Sequence, residues 1–172
     1  MPDAEYVPGK GYAETFSEMK GMPVEQANGM LQQVIDMAKS SGVDINYDIA
    51  KLSSTSDAHR VFQYAKEQGK GNEFFSRFYA AHFSEGEVLS DLDTIVKLAG
   101  EAGLDEGKVR TMLESDDYAE KVDQDIAEAQ TVGVQGVPFF VFNNKYAVSG
   151  AQPVESFKQV LDQVWEEEKQ ES

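Results

Sequence analysis

Cysteine and histidine, two residue types that are common in catalytic and metal-binding sites, are scarce in this sequence. Its 172 residues include two histidines and no cysteine. A chain without cysteine has no thiolate nucleophile and no cysteine-ligated metal, and it cannot by itself make, break or shuffle a disulfide. We therefore expect no catalytic residue in the chain as given.

The two histidines do not indicate a metal site. Neither His59 nor His82 has a second histidine at the spacing of an HxxxH or HExxH motif. His59 lies beside Asp57 and Arg60 at the predicted start of a helix, where capping and packing are the expected roles. His82 follows four aromatic residues at helical spacing, which we interpret as helix core: Phe74, Phe75, Phe78 and Tyr79. We expect neither a metal nor another cofactor.

The most informative motif is Gly133-Val-Gln-Gly-Val-Pro138, which lies at the start of an apolar run that ends at Phe142. Proline cannot donate to a sheet ladder, so at the first residue of a strand it leaves the preceding backbone groups free. A cis bond before Pro138 would turn Val137 outward with its N–H and C=O unpaired. Such a loop can pair with a peptide or a small ligand. The alternative is a rigid strand entry that binds nothing.

Composition excludes several classes of partner. The chain has 15 Lys and Arg against 31 Asp and Glu, a formal net charge of -16, which repels nucleic acid and anionic lipid. The longest apolar runs, such as 137–142, are far too short to span a bilayer. The first residues lack the basic and apolar parts of a secretory signal. We therefore expect a cytoplasmic protein that binds neither nucleic acid nor membrane.

Helical periodicity dominates most of the chain. Residues 1–20 are rich in proline and glycine and are predicted to form an irregular lead-in without a helix. Residues 21–132 repeat apolar positions at spacings of three and four between capping residues and glycines, which predicts a helical domain. In residues 133–172, two short β-type runs flank Asn143-Asn144-Lys145, and an amphipathic helix follows Pro153. This last segment is predicted to be a β-hairpin and a helix.

Three segments resemble one known family. They are GVQGVPFFVFNNKYAVSGAQP at 133–153, STSDAHR at 54–60 and HFSEGEVLSD at 82–91. In them the chain resembles the DsbA-like branch of the thioredoxin superfamily, and specifically the FrnE-type dithiol-disulfide isomerases. The resemblance covers nearly the whole chain and implies an α/β, thioredoxin-like fold, here mostly helical. The helices before Gly133 match the family's inserted helical domain, and the hairpin with the last helix matches the second half of its thioredoxin fold.

The resemblance also implies a binding role for the proline loop. In the family, a valine and a cis-proline lie beside the redox cysteines and bind the substrate main chain. By resemblance, the candidate substrate-binding residues are Gly136, Val137 and Pro138. The implied substrate is a protein or peptide with a thiol or disulfide, on which a low-pKa thiolate acts.

One part of the family pattern is missing. Family members begin with a strand, a Cys-Pro-x-Cys-type motif at the start of a helix, and a second strand, and we expect this β-α-β unit to be absent here. The expected explanations are a truncated chain, an internal start at Met1, or a shortened protein that borrows strands from another chain. Apart from its proline, the run 137–142 is apolar throughout, as is typical of a strand covered on both faces. A homodimer through unpaired strands is therefore a further expectation.

Three functions stay open at this point. The protein is related to thiol-disulfide oxidoreductases and inactive as given, or it is a non-catalytic module that binds a peptide or partner chain in the cis-proline groove. The third is a glutathione-dependent transferase or isomerase of the kappa type, a group that uses serine in place of the first cysteine. No serine at the start of this sequence lies at a strand-to-helix junction, and Ser17 falls in the predicted lead-in. We therefore assign no nucleophile.

Overall fold

The structure, a computed structural model, describes residues 4–171. These residues form eight α-helices, one π-helix and a two-stranded sheet. No helix among them is long and apolar enough to cross a membrane. In chain order the elements are α1 (Tyr12–Lys20), α2 (Val24–Ser40), α3 (Ser56–Glu67), α4 (Gly71–Ala80), the π-helix (Ala81–Glu85), α5 (Leu92–Glu101), α6 (Glu106–Leu113), α7 (Ala119–Val132), β1 (Phe139–Phe142), β2 (Tyr146–Ser149) and α8 (Val154–Glu171).

Helix α1 corrects our expectation that residues 1–20 form an irregular lead-in without a helix. It begins directly after Gly11, whose N–H donates to the Glu14 carboxylate at 3.2 Å. It ends at Gly21, which takes the left-handed conformation with φ 63°. The prediction was wrong because it extended the loop character of the early prolines and glycines over residues that carry both a start and a stop signal. Residues 1–3 of the predicted lead-in lie outside the described range.

Contacts divide the described chain into two compact units, residues 4–122 and 123–171. The first unit contains α1 to α6 and the π-helix, and the second contains the sheet and α8. Helix α7 begins in the first unit and ends in the second. The change of character predicted at residue 133 coincides with the end of α7.

The core of the first unit lies between α3, α4, α5 and α6. Phe74 and Phe78 of α4 form a stacked ring pair with centroids 4.0 Å apart. Burial of large apolar side chains such as these stabilises the fold by about 1.5–3 kcal/mol each. The largest fully buried side chains are those of Val61, Ile95, Leu98 and Val109.

The four aromatic residues of α4 do not all face this core, which corrects their interpretation as a single core stripe. Phe74 and Phe78 are buried, whereas Phe75 and Tyr79 are 54% and 45% exposed. Adjacent helical residues differ in direction by about 100°, so the second pair lies on a neighbouring face. On that face the ring of Tyr79 contacts Phe75 at 5.2 Å and Phe83 of the π-helix at 4.8 Å between centroids.

Arg60 of α3 joins this helix to the end of α6. Its guanidinium donates to the carbonyl oxygens of Met112 at 2.8 Å and Asp117 at 2.9 Å, and also to that of Ser115. It donates in addition to the Asp57 carboxylate at 2.8 Å. The carbonyl groups at the end of a helix lack partners within that helix, and Arg60 supplies donors to them here. The Met112 carbonyl also accepts from the N–H of Ser115 at 3.2 Å and from its hydroxyl at 2.9 Å. Arg60 therefore caps the end of α6, whereas the capping and packing role expected for His59 at the start of α3 stays a prediction.

The sheet of the second unit is the predicted hairpin. Strands β1 and β2 pair antiparallel, with Phe139 opposite Ser149 and Phe142 opposite Tyr146. Three residues, Asn143 to Lys145, connect the strands, and the N–H of Lys145 donates to the carbonyl of Phe142 at 3.0 Å. Asn143 and Asn144, at the centre of this turn, both have positive φ, 50° and 53°, as the central residues of a type I′ turn do. Asparagine tolerates this conformation better than other residues with a side chain, which is why the Asn-Asn pair predicts the turn.

Candidate functional site

The loop between α7 and β1 contains the three predicted substrate-binding residues, which are Gly136, Val137 and Pro138. Helix α7 ends at Gly133, which has a left-handed φ of 86°. The N–H groups of Gly133 and Val134 donate to the carbonyl oxygens of Gln130 and Ala129, both at 3.0 Å. This hydrogen-bond pattern closes the helix and turns the chain away from its axis. The hydrogen bonds at the end of α7 therefore fix the position of the first residues of the loop.

Val137 is the residue of the loop that is most open to a ligand. It is 88% exposed, and neither its N–H nor its C=O has a hydrogen-bond partner within residues 4–171. The peptide bond between Val137 and Pro138 is cis, the geometry that the resemblance implies. The carbonyl of Pro138 is occupied, since it accepts from the N–H of Gly150 at 2.8 Å. The exposed donor and acceptor of Val137 can pair with the main chain of a ligand.

Strand β1 has one paired edge and one free edge. The bond from Gly150 to Pro138 and the register of the sheet place the backbone groups of Phe140 and Phe142 toward β2. The N–H and C=O groups of Phe139 and Val141 therefore face the opposite edge. No other strand of the described chain occupies that edge.

The side chains of β1 divide between the two faces of the sheet. Phe140 and Phe142 contact Phe157 of α8, with ring centroids 5.0 and 6.3 Å apart. Phe139 and Val141 lie on the other face, where Val141 is 45% exposed. Within the described residues, the strand is therefore not covered on both faces. The apolar sequence of β1 predicts that both of its faces are covered. Among the described residues, α8 covers only the face of Phe140 and Phe142.

Polar contacts with α8 fix the turn end of the hairpin. The Tyr146 hydroxyl donates to the Glu167 carboxylate and accepts from the Gln163 amide at 2.8 Å. The Asn143 amide donates to the Glu168 carboxylate at 2.7 Å. The bond to Glu167 raises the pKa of Tyr146, and the same bond lowers the pKa of Glu167. These groups orient β1 and lie at the end of the strand opposite to Val137.

The structure places no catalytic constellation beside the loop. The described residues contain no group of three or more His, Cys, Asp or Glu side chains that could hold a metal ion. His82 lies in the first unit, where its ring contacts Tyr12 at 6.2 Å and Phe83 at 4.5 Å between centroids. Its Nδ1 is buried without a hydrogen-bond partner among the described residues, and burial lowers the pKa of the imidazole. A neutral histidine among aromatic rings has a packing role.

Sequence reasoning did not assign the free edge of β1 to particular residues. Alternation along a strand separates its two faces, but the direction of each backbone N–H depends on which residues pair with the neighbouring strand. The signal that fixes this pairing is the three-residue loop from Asn143 to Lys145, because loop length and turn type set the register of a hairpin. From that turn, the outward-facing backbone groups of Phe139 and Val141 follow.

Comparison with known proteins identifies the family. A family model described as the DSBA-like thioredoxin domain matches residues 2–162. The chain belongs to the DsbA-like thioredoxin family. The DsbA-like resemblance indicated by the motifs and the thioredoxin-like fold class are both confirmed.

Two similar proteins are each matched over part of their length. Over 127 residues this chain is 31% identical to the uncharacterized protein YwbO of Bacillus subtilis (strain 168), an alignment that covers 73% of the chain and 63% of YwbO. The chain thus spans less than two thirds of that relative. The crystal structure of "probable DsbA oxidoreductase SCO1869 from Streptomyces coelicolor" matches with a TM-score of 0.83 and 36% identity. That match covers 92% of this chain and 68% of the other.

Proposed function

We propose that this DsbA-like protein is of the FrnE type and that its proline loop binds the main chain of an extended protein or peptide. The observation that carries the proposal is the exposed Val137, whose N–H and C=O have no partner among residues 4–171. An unpaired donor and acceptor on one residue match the donor and acceptor of one residue in an extended peptide. The FrnE type is supported by the motif segments at 54–60, 82–91 and 133–153.

Each loop residue has a separate role in this proposal. Val137 donates its N–H to the peptide and accepts a hydrogen bond with its C=O. Gly136 has no side chain, and no atom lies within 4 Å of the place where a Cβ would stand, so a ligand can approach the backbone from there. Pro138 has no N–H, and its carbonyl binds Gly150, so it holds the loop against β2.

The proposed substrates carry a thiol or a disulfide, as the DsbA-like family implies. In thiol-disulfide exchange a thiolate attacks one sulfur of the disulfide, a new S–S bond forms, and the other sulfur leaves as a thiolate. None of the 172 residues is a cysteine, so this chain supplies the binding surface and not the attacking sulfur. We therefore propose that it binds such peptides in the cytoplasm, without a cofactor, and does not exchange their disulfides. Insulin reduction above the rate of buffer with dithiothreitol would contradict this.

Peptide titration with a matched pair of variants tests the binding site. An extended peptide with a disulfide should shift the NMR amide resonances of Gly136 and Val137 in the isotope-labelled protein. Val137→Ala keeps both backbone groups and should change the affinity less than about twofold. Val137→Pro removes the N–H and should weaken binding up to about tenfold, since one hydrogen bond contributes about 1 kcal/mol. Equal affinities for the two variants would rule out main-chain binding at this residue.

A non-catalytic module for one partner chain is the second candidate, favoured by the same lack of cysteine. The two candidates differ in what the ligand's side chains contribute. A loop that contacts only the main chain of its ligand binds many extended peptides with similar affinity. A partner-specific module needs pockets for particular side chains. A peptide array separates them. Binding that depends strongly on sequence would favour the partner-specific module.

A further inference from the structure

The charged residues of the second unit are mostly acidic. Residues 123–171 contain nine Asp and Glu side chains and three lysines. Each lysine already has an acidic partner within the unit, and the pairs are Lys145 with Glu167, Lys158 with Asp162 and Lys169 with Glu166. The acidic residues outside these pairs therefore carry a negative charge that no lysine of the unit neutralises.

Two of these acidic residues flank the loop that contains Val137. Glu128 lies on α7, five residues before Gly133, and Glu155 lies in the first turn of α8, five residues after Gly150. Both side chains are exposed, and neither has an ion-pair partner within residues 4–171. No basic residue lies between Lys121 and Lys145. The charged side chains that are nearest to the loop in sequence are therefore unpaired carboxylates.

Chain length limits how far these two carboxylates lie from the loop. Gly150 is bonded to Pro138, and the five residues from Gly150 to Glu155 reach at most about 18 Å. Glu128 precedes the end of α7 by about 8 Å along the helix axis, and the four residues from there to Val137 add at most about 14 Å. Because the screening length is about 30 Å at 10 mM ionic strength, charges on a bound peptide interact with both carboxylates.

The end of α7 adds negative potential at the start of the loop. The carbonyl end of a helix carries the equivalent of about half a negative charge, which a cation nearby offsets. The last turn of α7 has no basic residue. The carbonyl oxygens of Thr131 and Val132 have no hydrogen-bond partner within residues 4–171. A positive charge on a ligand is therefore favoured beside this helix end.

We propose that the peptides bound at the Val137 loop are cationic, with lysine or arginine on both sides of the residue that pairs with Val137. This inference rests on the proposed main-chain binding and names the class of peptide that the loop selects. Residues 133–142 are uncharged, so the paired residue of the peptide meets no charged side chain and is itself uncharged. The flanking cations interact with Glu128, Glu155 and the end of α7, whereas flanking carboxylates are repelled.

Three peptides that differ only in flanking charge test this preference. They share their length and their disulfide, and they carry lysine, glutamine or glutamate at the flanking positions. Titration followed by the amide resonance of Val137 should give affinities that decrease in that order. At about 20 mM ionic strength the lysine peptide should bind about tenfold more tightly than the glutamate peptide, and at about 300 mM this ratio should fall below about threefold, because salt screens the charges.

A pair of double variants tests whether the two flanking glutamates cause the preference. Glu128→Gln with Glu155→Gln should reduce the ratio between lysine and glutamate peptides at least about twofold at low ionic strength. Glu25→Gln with Glu114→Gln is the control, because it removes two exposed carboxylates of the first unit and changes the net charge equally. The control should leave the ratio unchanged. Circular dichroism should show that both double variants fold like the wild type.

The outcomes distinguish this proposal from the main-chain binding on which it rests. If none of the three peptides shifts the resonances of Gly136 and Val137, the peptide site itself is wrong, and the charge preference is wrong with it. If all three bind with equal affinity, the peptide site stands and the charge preference alone is overturned. An equal reduction of the ratio by the two double variants would also overturn it, because the flanks would then respond to net charge and not to the loop.

Discussion

Gly86 follows the π-helix at a point where two parts of the backbone touch. It has a φ of 69°, and a Cβ on it would lie 2.5 Å from the carbonyl oxygen of Ile49. Both the conformation and the space therefore require glycine at this position. Gly21, at the end of α1, has a similar φ of 63° but no atom within 4 Å of its Cβ position. Substitution of these two glycines therefore separates two free-energy costs: that of the left-handed conformation, present at both positions, and that of the close contact, present only at Gly86.

We expect Gly86→Ala to destabilise the first unit by about 3 kcal/mol. About 1 kcal/mol of this comes from the left-handed conformation, and about 2 kcal/mol from moving the backbone near Ile49. Gly21→Ala carries only the conformational part and should cost about 1 kcal/mol. Urea unfolding of both variants measures the difference. Equal losses would show that the approach to Ile49 relaxes at no cost.

At the scale of elements, local signals predicted helices and the hairpin better than they predicted how these elements pack. The start and stop of α1 are local signals that were missed, because the glycines at both ends resemble a continuing loop. The exposed face of α4 could not be predicted from spacing alone, since Phe75 and Tyr79 are aromatic like the buried pair beside them. The partners of Arg60 were also beyond sequence reasoning, because Met112 lies 52 positions away in the chain.

The junction between α3 and α6 should depend strongly on Arg60. Arg60→Ala leaves the carbonyl groups of Met112, Ser115 and Asp117 without this donor, which should destabilise the protein by about 3 kcal/mol. Arg60→Lys should recover little, because an ammonium group lacks the planar fork that reaches the three carbonyl groups and the Asp57 carboxylate together. Thermal unfolding followed by circular dichroism measures both.

Arg110 provides the control for this prediction. It is an arginine of α6 that pairs with Asp93 at 2.5 Å across an exposed surface. Exposed ion pairs contribute little to stability because water and salt screen them. Arg110→Ala should therefore leave the unfolding midpoint nearly unchanged. If Arg60→Ala also left the unfolding midpoint nearly unchanged, water would be replacing the guanidinium at the end of α6.

At the scale of the whole molecule, acidic surface and apolar surface are separated. The chain carries a net charge of -16, yet residues 133–142 are uncharged. The family and fold class could be predicted because the segments at 54–60, 82–91 and 133–153 resemble one family over many consecutive residues. The surface that covers β1 could not be predicted. An apolar run indicates that a strand is buried, but it does not indicate which part of the protein packs against that strand.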